Sequence, residues 1–257
     1  MTEIPLLFVE KLTNNALLAS FSASISEIHP IFLSPPTREK VSIGEVMSLK
    51  THWEDVYTNK SADEVSWFQP HAEKSLSIIE RLNVPKSAHI IDVGGGASHL
   101  VDDLLDNNYN NLSVLDISAA ALKTAQRRLG DKATNVRWLV EDVTQLSLQK
   151  HSIDVWHDRA VFHFLNTELE RQQYVENVLK IVKPGGYVVV STFAEDGPKE
   201  CSGLPVQRYS AEGIHDEFGS PFEMLGHESE AHKTPFGTEQ KFVYCYCRRV
   251  AANQEPE

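Results

Sequence analysis

Acidic residues close three successive hydrophobic runs: Asp92 in "AHIIDV", Asp116 in "LSVLDIS", and Glu141 with Asp142 in "VRWLVEDV". Directly after the first acid stand three consecutive glycines, Gly94, Gly95 and Gly96. Such a run is expensive to order, because glycine loses more backbone freedom on folding than any other residue. It is worth keeping where the chain must turn tightly or where main-chain amides must approach a ligand. Asp116 lies 24 positions beyond Asp92, the region in which an acid of a nucleotide-binding fold accepts hydrogen bonds from ribose hydroxyls. One run further on, a carboxylate at Glu141 or Asp142 can accept from the amino group of an adenine. Together the three acids point to a nucleoside site, provided that their runs are strands of one sheet.

The surrounding pattern supplies that sheet. "SLSIIERLNV" has helical spacing and stops at Pro85, and "AHIIDV" is short and nearly all apolar, as in a parallel strand buried on both faces. "SHLVDDLLDNN" predicts a helix closing on Asn107 and Asn108. "LSVLDI" predicts a second strand, and "SAAALKTAQRRLG" a helix with Ser118 as N-cap and Gly130 as C-cap. "VRWLVED" and "IDVWHDR" follow as strands three and four, "RQQYVENVLKIV" as a helix, and "GYVVVSTF" as a fifth strand introduced by the turn "KPGG". "FEMLGHESEAH" and "KFVYCYCRR" predict an antiparallel hairpin at the end. This alternation implies a doubly wound, mostly parallel α/β sheet with helices on both faces. In such sheets ligands bind at the carboxyl ends of the strands, where the strand order reverses.

The set "DVGGGAS", "LDIS", "VEDV", "DVWHDRAVFHFL" and "VLKIVKPGGYVVV" resembles the class I S-adenosylmethionine-dependent methyltransferases over roughly Trp53 to Arg249. The resemblance implies a seven-stranded, Rossmann-like sheet with an antiparallel C-terminal hairpin and S-adenosyl-L-methionine as cofactor. The family's D-x-G-x-G-x-G motif is met at Asp92, Gly94 and Gly96, with Ser98 in the last place. Carried over by position, Asp92 and the turn Gly94, Gly95 and Gly96 hold the methionine portion. Asp116 holds the ribose, with Ile117 against the adenine. Glu141, Asp142 and Val143 bracket the ring, Asp142 accepting from its amino group. Asp158 is expected to face the methyl group and the cofactor's amine. A nicotinamide-binding dehydrogenase fits less well: its G-x-G-x-x-G would need glycine where His99 stands, and Asp92 would repel a pyrophosphate.

Methyl transfer from a sulfonium is an in-line displacement in which the protein supplies alignment and electrostatics. The expected catalytic side chains are Asp158, Arg159 and His163 from "WHDRAVFHFL", with Trp67 and Phe68 from the lid segment that also carries Trp53 and Tyr57. Their structural alternatives are an Asp158–Arg159 ion pair, a core histidine at 163 and an amphipathic docking helix. A third candidate region is "CSGLPVQRYS", with Arg208 and Tyr209, where Ser210 can instead cap the following helix. A small-molecule acceptor is the first expectation. A protein lysine is the alternative, because "HWEDVY…VSWF…DR" resembles the W-D-x-x-Y, W-F and D-K of the seven-strand lysine methyltransferases, with Arg159 in place of lysine. A non-catalytic cofactor-binding module is the third reading.

Composition narrows the partners. The formal net charge is −12, from 24 Lys+Arg against 36 Asp+Glu, which repels a phosphate backbone and argues against nucleic acid. No apolar run reaches the length of a membrane span. Three sparse cysteines suggest a reducing, cytoplasmic setting. Cys245 and Cys247 fall on one face of a strand and are read as packing, and no metal site is expected. Residues 1–46 lack a clean period and are expected to form a poorly ordered arm, to which Met47 offers an alternative start. Residues 47–250 then form the methyltransferase domain, 47–74 its N-terminal lid, and 251–257 a flexible tail.

Overall fold

In the computed structural model, which describes residues 43–251, the chain opens with helix α1 (Ile43–Asn59), followed by α2 (Glu73–Arg81). Then come β1 (Ile90–Val93), α3 (Leu100–Asp106), β2 (Leu112–Asp116), α4 (Ala119–Leu129), β3 (Val136–Val140) and β4 (Ile153–Arg159). The second half contains α5 (Glu168–Ile181), β5 (Val182–Phe193), a ribbon of β6 (Glu200–Cys201) and β7 (Leu204–Pro205), α6 (Ala211–Phe218), and the long strands β8 (Phe222–Lys233) and β9 (Glu239–Arg249). Seven strands form one sheet in the order β3-β2-β1-β4-β5-β9-β8. The first five run parallel, while β9 is antiparallel to both β5 and β8. Every residue of β1 and β2 is buried, which accounts for their nearly unbroken apolar sequence.

The helix ends follow local chemistry. The Ser118 hydroxyl accepts from Ala121 N at 3.1 Å, and Gly130, at φ +56°, ends α4. Thr167 and Glu170 form a reciprocal capping box on α5, and Ser210 accepts from Gly213 N at 3.0 Å on α6. Two boundaries differ from the sequence pattern. "KPGG" is a bulge inside β5 rather than a turn before it: Gly185 takes φ +78°, and the β4 pairing jumps from Val182 to Tyr187. Helix α1 starts at Ile43, so residues 43–46 belong to it; the rest of the expected arm, and the tail after Ala251, lie outside the described residues. Cys245 and Cys247 do share a face, both buried, with Sγ atoms 3.6 Å apart. Among the described residues no helix is long and apolar enough to cross a membrane.

Strand order reverses between β2-β1 and β4-β5, so a crevice opens at the carboxyl ends of β1 and β4. The three glycines sit there under severe crowding. Gly94 has φ +65°, and a Cβ on it would collide with the Val161 side chain. A Cβ on Gly95 would collide with the Asp92 carboxylate. One on Gly96 would lie 2.5 Å from Asp116 Oδ2 and 2.8 Å from the Ala121 methyl. The turn is therefore glycine because two buried carboxylates and two side chains leave no room for anything else.

Helix α1 is fastened over this crevice by charge. Glu54 accepts from Ala119 N at 2.7 Å, from Ala120 N at 3.0 Å and from the Ser118 hydroxyl at 3.2 Å. The orphan amides at the start of α4 thus receive a carboxylate from another helix. Burial opposes the Glu54 charge, but these bonds outweigh it and hold the carboxyl below its ordinary range. Gly94→Ala should combine left-handed strain with the Val161 collision and destabilise the protein by at least about 2 kcal/mol, roughly 5 °C in melting temperature. Differential scanning calorimetry of the variant measures this directly.

Candidate functional site

The crevice is a cleft with two lobes. The larger is walled on the sheet side by Leu115, Asp116, Ile117, Asp142 and Val143, and opposite them by Trp53, Tyr57, Trp67 and Phe164. The smaller continues past Gly94 to Asp92, Ser98, His99, Phe68 and His157. Tyr57, Trp67, Gly94 and Arg159 border both. The cofactor residues expected from sequence are therefore brought to one place, apart from Asp158; Gly96 supports the turn from behind.

Asp116 is 7% exposed and accepts from Ser118 N at 2.8 Å. Burial pushes its carboxyl up to about 7, against the opposing hydrogen bonds from the Ser118 and Gly96 amides. Asp142 Oδ1 accepts from Thr144 N at 2.8 Å and from its hydroxyl at 2.7 Å, which fixes the carboxylate at the cleft wall. Glu141 Oε2 faces Ser147, 3.3 Å from both its amide and its hydroxyl. In the smaller lobe, Asp92 Oδ1 meets His157 Nδ1 at 2.7 Å, while Asp92 Oδ2 is buried with no hydrogen-bond partner among the described residues.

The residues that end β4 depart from expectation. Asp158 does not face the cleft: it is fully buried, accepting from Tyr174 OH at 2.7 Å, Val161 N at 2.9 Å and Phe162 N at 3.1 Å. The parallel register pairs Asp92 with His157 and Val93 with Asp158. Side chains alternate along a strand, so Asp158 takes the opposite face from Asp92, toward α5. Its carboxylate instead holds the loop that turns Ala160 to φ +71°, and burial raises it to about 6. The same alternation forbids the Asp158–Arg159 pair. Arg159 reaches the terminal hairpin, donating from Nε to Tyr244 OH at 3.0 Å and from Nη2 to Glu230 Oε2 at 3.2 Å.

His163 is a core histidine. It is fully buried, its ring centroid lies 4.6 Å from Phe164 and 4.8 Å from Phe193, and Nδ1 accepts weakly from Phe193 N at 3.4 Å. Burial, with the Arg159 charge nearby, drives its basicity down to about 3, so it is neutral. Trp67 lies against Trp53 and Tyr57, with ring centroids at 5.8 Å and 6.4 Å, and Phe68 packs edge-on to His99 at 5.5 Å. Arg208 donates to Glu195 O at 2.5 Å and Gly197 O at 3.2 Å, while the Tyr209 ring packs on Phe162, so neither borders the cleft.

Several contributors were not singled out from the sequence. Glu54 stands beside Trp53 in "HWEDVY", and an acid next to a cleft-facing aromatic was a usable signal. Phe164 carried one too, as the next aromatic after His163. Glu230 and Tyr244 carried none, because their approach to Arg159 depends on where β8 and β9 enter the sheet.

Residues 91–190 match the family described as a methyltransferase domain. EEF1A lysine methyltransferase 2 of Danio rerio is 24% identical over 160 residues, covering 57% of this chain and 69% of that protein. The Homo sapiens protein of the same name is 20% identical over 209 residues, covering 76% of this chain and 82% of that protein. The Burkholderia thailandensis 1,6-didemethyltoxoflavin-N1-methyltransferase, solved with 1,6-didemethyltoxoflavin and S-adenosylhomocysteine bound, shares the fold. Its TM-score is 0.57 at 15% identity, over 80% of this chain and 86% of that one.

Two outcomes follow from the buried groups. Because the Asp116 carboxyl titrates near 7 when folded and near 3.8 as an ordinary aspartate, its contribution to stability is present below the lower value and lost as pH rises through the higher. Asp116→Asn should therefore recover part of the stability that the ligand-free wild type loses between these limits, as read by urea denaturation at pH 5 and pH 8. His163→Ala should lower stability by about 2–5 kcal/mol through the cavity it leaves, whereas His163→Leu should retain both stability and turnover.

Proposed function

We propose that this chain, which belongs to the class I S-adenosylmethionine-dependent methyltransferases through the domain at residues 91–190, methylates the ε-amino group of a protein lysine. The observation that carries this reading is the aromatic wall facing the adenosine-side acids. Trp53 contacts Phe164 at 5.2 Å and Trp67 at 5.8 Å between ring centroids, both edge-on, and Tyr57 closes the group. Such a wall fits a slender aliphatic chain ending in an amine: its rings exclude water from the alkyl stem and attract the positive charge that develops on nitrogen. The relatives named for EEF1A lysine methylation support the same acceptor class.

The residues present fit the cofactor. Asp92 Oδ2 is an orphaned, buried carboxylate oxygen at the end suited to an ammonium, and Asp116 and Asp142 stand where a ribose diol and an adenine amino group would be held. When bound, S-adenosylmethionine supplies a methyl group on a sulfonium centre. Asp116 would hold two ribose hydroxyls, Asp142 would accept from the adenine amine, and Ile117 and Val143 would pack on the ring. Trp53, Tyr57, Trp67 and Phe164 align the acceptor and shield it from water. Asp158 near the end of β4 and His163 in the turn after it face the core, so neither is placed to act as base. The amine would enter the aromatic channel as the free base, leaving its proton to bulk water, because the channel disfavours the charged, hydrated form.

A small-molecule acceptor is the second reading, favoured by the fold shared with the 1,6-didemethyltoxoflavin enzyme. Incubation with methyl-labelled cofactor, purified EEF1A and a small-molecule extract separates the two. Label on a lysine of the protein, located by peptide mass spectrometry, is the expected result; label confined to the small-molecule fraction would establish the second reading instead. Trp53→Ala should slow single-turnover transfer at least about tenfold, equivalent to 1.4 kcal/mol, with much less effect on cofactor affinity measured by calorimetry.

A further inference from the structure

His157 is buried on β4, directly across the strand pair from Asp92. Its Nδ1 lies 2.7 Å from Asp92 Oδ1, and its Nε2 lies 2.9 Å from the hydroxyl of Ser75 on α2. A carboxylate can only accept, so Nδ1 must carry the proton of that bond. A neutral ring then has Nε2 free to accept, and Ser75 is placed to donate to it. Behind Ser75 the Tyr244 hydroxyl lies 3.4 Å away and is itself 3.1 Å from Glu230 Oε2 and 3.0 Å from Arg159 Nε. Arg159 donates to the phenol oxygen and the phenol donates to Glu230, so the Ser75 proton is left to point at His157. Every donor in this buried chain thus has one acceptor, and the chain ends on a single oxygen of Asp92. The other oxygen, Oδ2, is buried against the glycine turn with no partner among the described residues, on a residue that lines the smaller lobe of the cleft.

We propose that His157, held in one tautomer by Ser75, is a positioning residue. By engaging Oδ1 it locks the Asp92 carboxylate so that Oδ2 is presented to the α-amino group of the bound cofactor. This rests on the cofactor reading above. It predicts that His157 governs recognition of one functional group of the ligand rather than affinity in general. Loss of the ring donor lets the Asp92 carboxylate rotate and leaves both of its oxygens unpaired in a buried site, where orientation and charge are most sensitive to a missing partner.

Two ligands resolve the question without measuring turnover: S-adenosylhomocysteine, and its 4-thiobutyrate analogue, which keeps the carboxylate and lacks the α-amino group. Calorimetry on the full chain gives the ratio of their affinities. In the wild type the amine-bearing ligand should bind at least about tenfold more tightly. His157→Leu should collapse that ratio, with the analogue's affinity nearly unchanged. His157→Asn, whose amide nitrogen can reach the Nδ1 position, should restore it. Ser75→Ala, which leaves the ring in place, should lower the ratio part of the way and reads the same effect if the leucine variant does not fold. Equal losses for both ligands would make His157 a packing residue and overturn the proposal, as would an unchanged ratio. A wild type that binds neither ligand would instead overturn the cofactor reading, and the role of His157 with it.

Discussion

Two carboxylates buried at neighbouring strand ends set the terms for everything around them. Asp92 and Asp116 are 3% and 7% exposed, and a buried carboxylate is tolerated only where donors replace water. The turn between β1 and α3 has to bring its backbone against both acids, and this closeness removes every side chain from Gly94 to Gly96. Asp116 takes its donor from Ser118, the residue that also caps α4, so ligand site and helix start share one device. Asp92 takes its donor from His157 across the parallel register. Burial outweighs the amide bonds at Asp116, and one donor does not satisfy Asp92. Asp116 pays for this in basicity, and Asp92 retains a bare oxygen, as expected of groups shaped for a ligand rather than for the empty protein.

The wall that faces these acids follows a different logic. Its wall is aromatic and comes from three separate parts of the chain: α1, the segment before α2, and the turn after β4. Trp53, Tyr57, Trp67 and Phe164 contact one another mostly edge-on, an arrangement that gives each ring defined neighbours without stacking it shut. What keeps the wall over the cleft is Glu54, whose carboxylate serves the exposed amides of α4. The same helix start therefore sits beside Asp116 and anchors the aromatic cover, which ties the two walls of the cleft mechanically.

β4 shows how strand alternation divides labour within four residues. Trp156 and Asp158 face α5, where Trp156 Nε1 donates to Tyr174 OH at 2.8 Å and Tyr174 donates to Asp158. His157 and Arg159 face the other way, toward α2 and the terminal hairpin. Asp158 was expected at the reacting centre because it ends a strand, as Asp92 and Asp116 do. Position at a strand end was read correctly; the face was not. The face depends on which neighbour the register selects, and a fully buried strand carries no polar alternation that would announce it.

From the amino-acid sequence alone came the order of strands and helices, the caps at Ser118 and Ser210, the glycine turn and the acids that line the cleft at the strand ends. These are local properties: apolar runs of limited length, turn residues and hydrogen-bonding side chains act over a few positions and leave their mark in linear spacing. Only the tertiary structure decided that His163 and Asp158 turn into the core, that Arg159 pairs with Glu230 instead of its neighbour, and that Glu54 fastens α1. Those outcomes rest on contacts between residues up to 71 positions apart, set by sheet register and by the antiparallel entry of β9 beside β5. No periodicity encodes such a meeting, because each partner's burial and orientation exist only once the other element has packed against it.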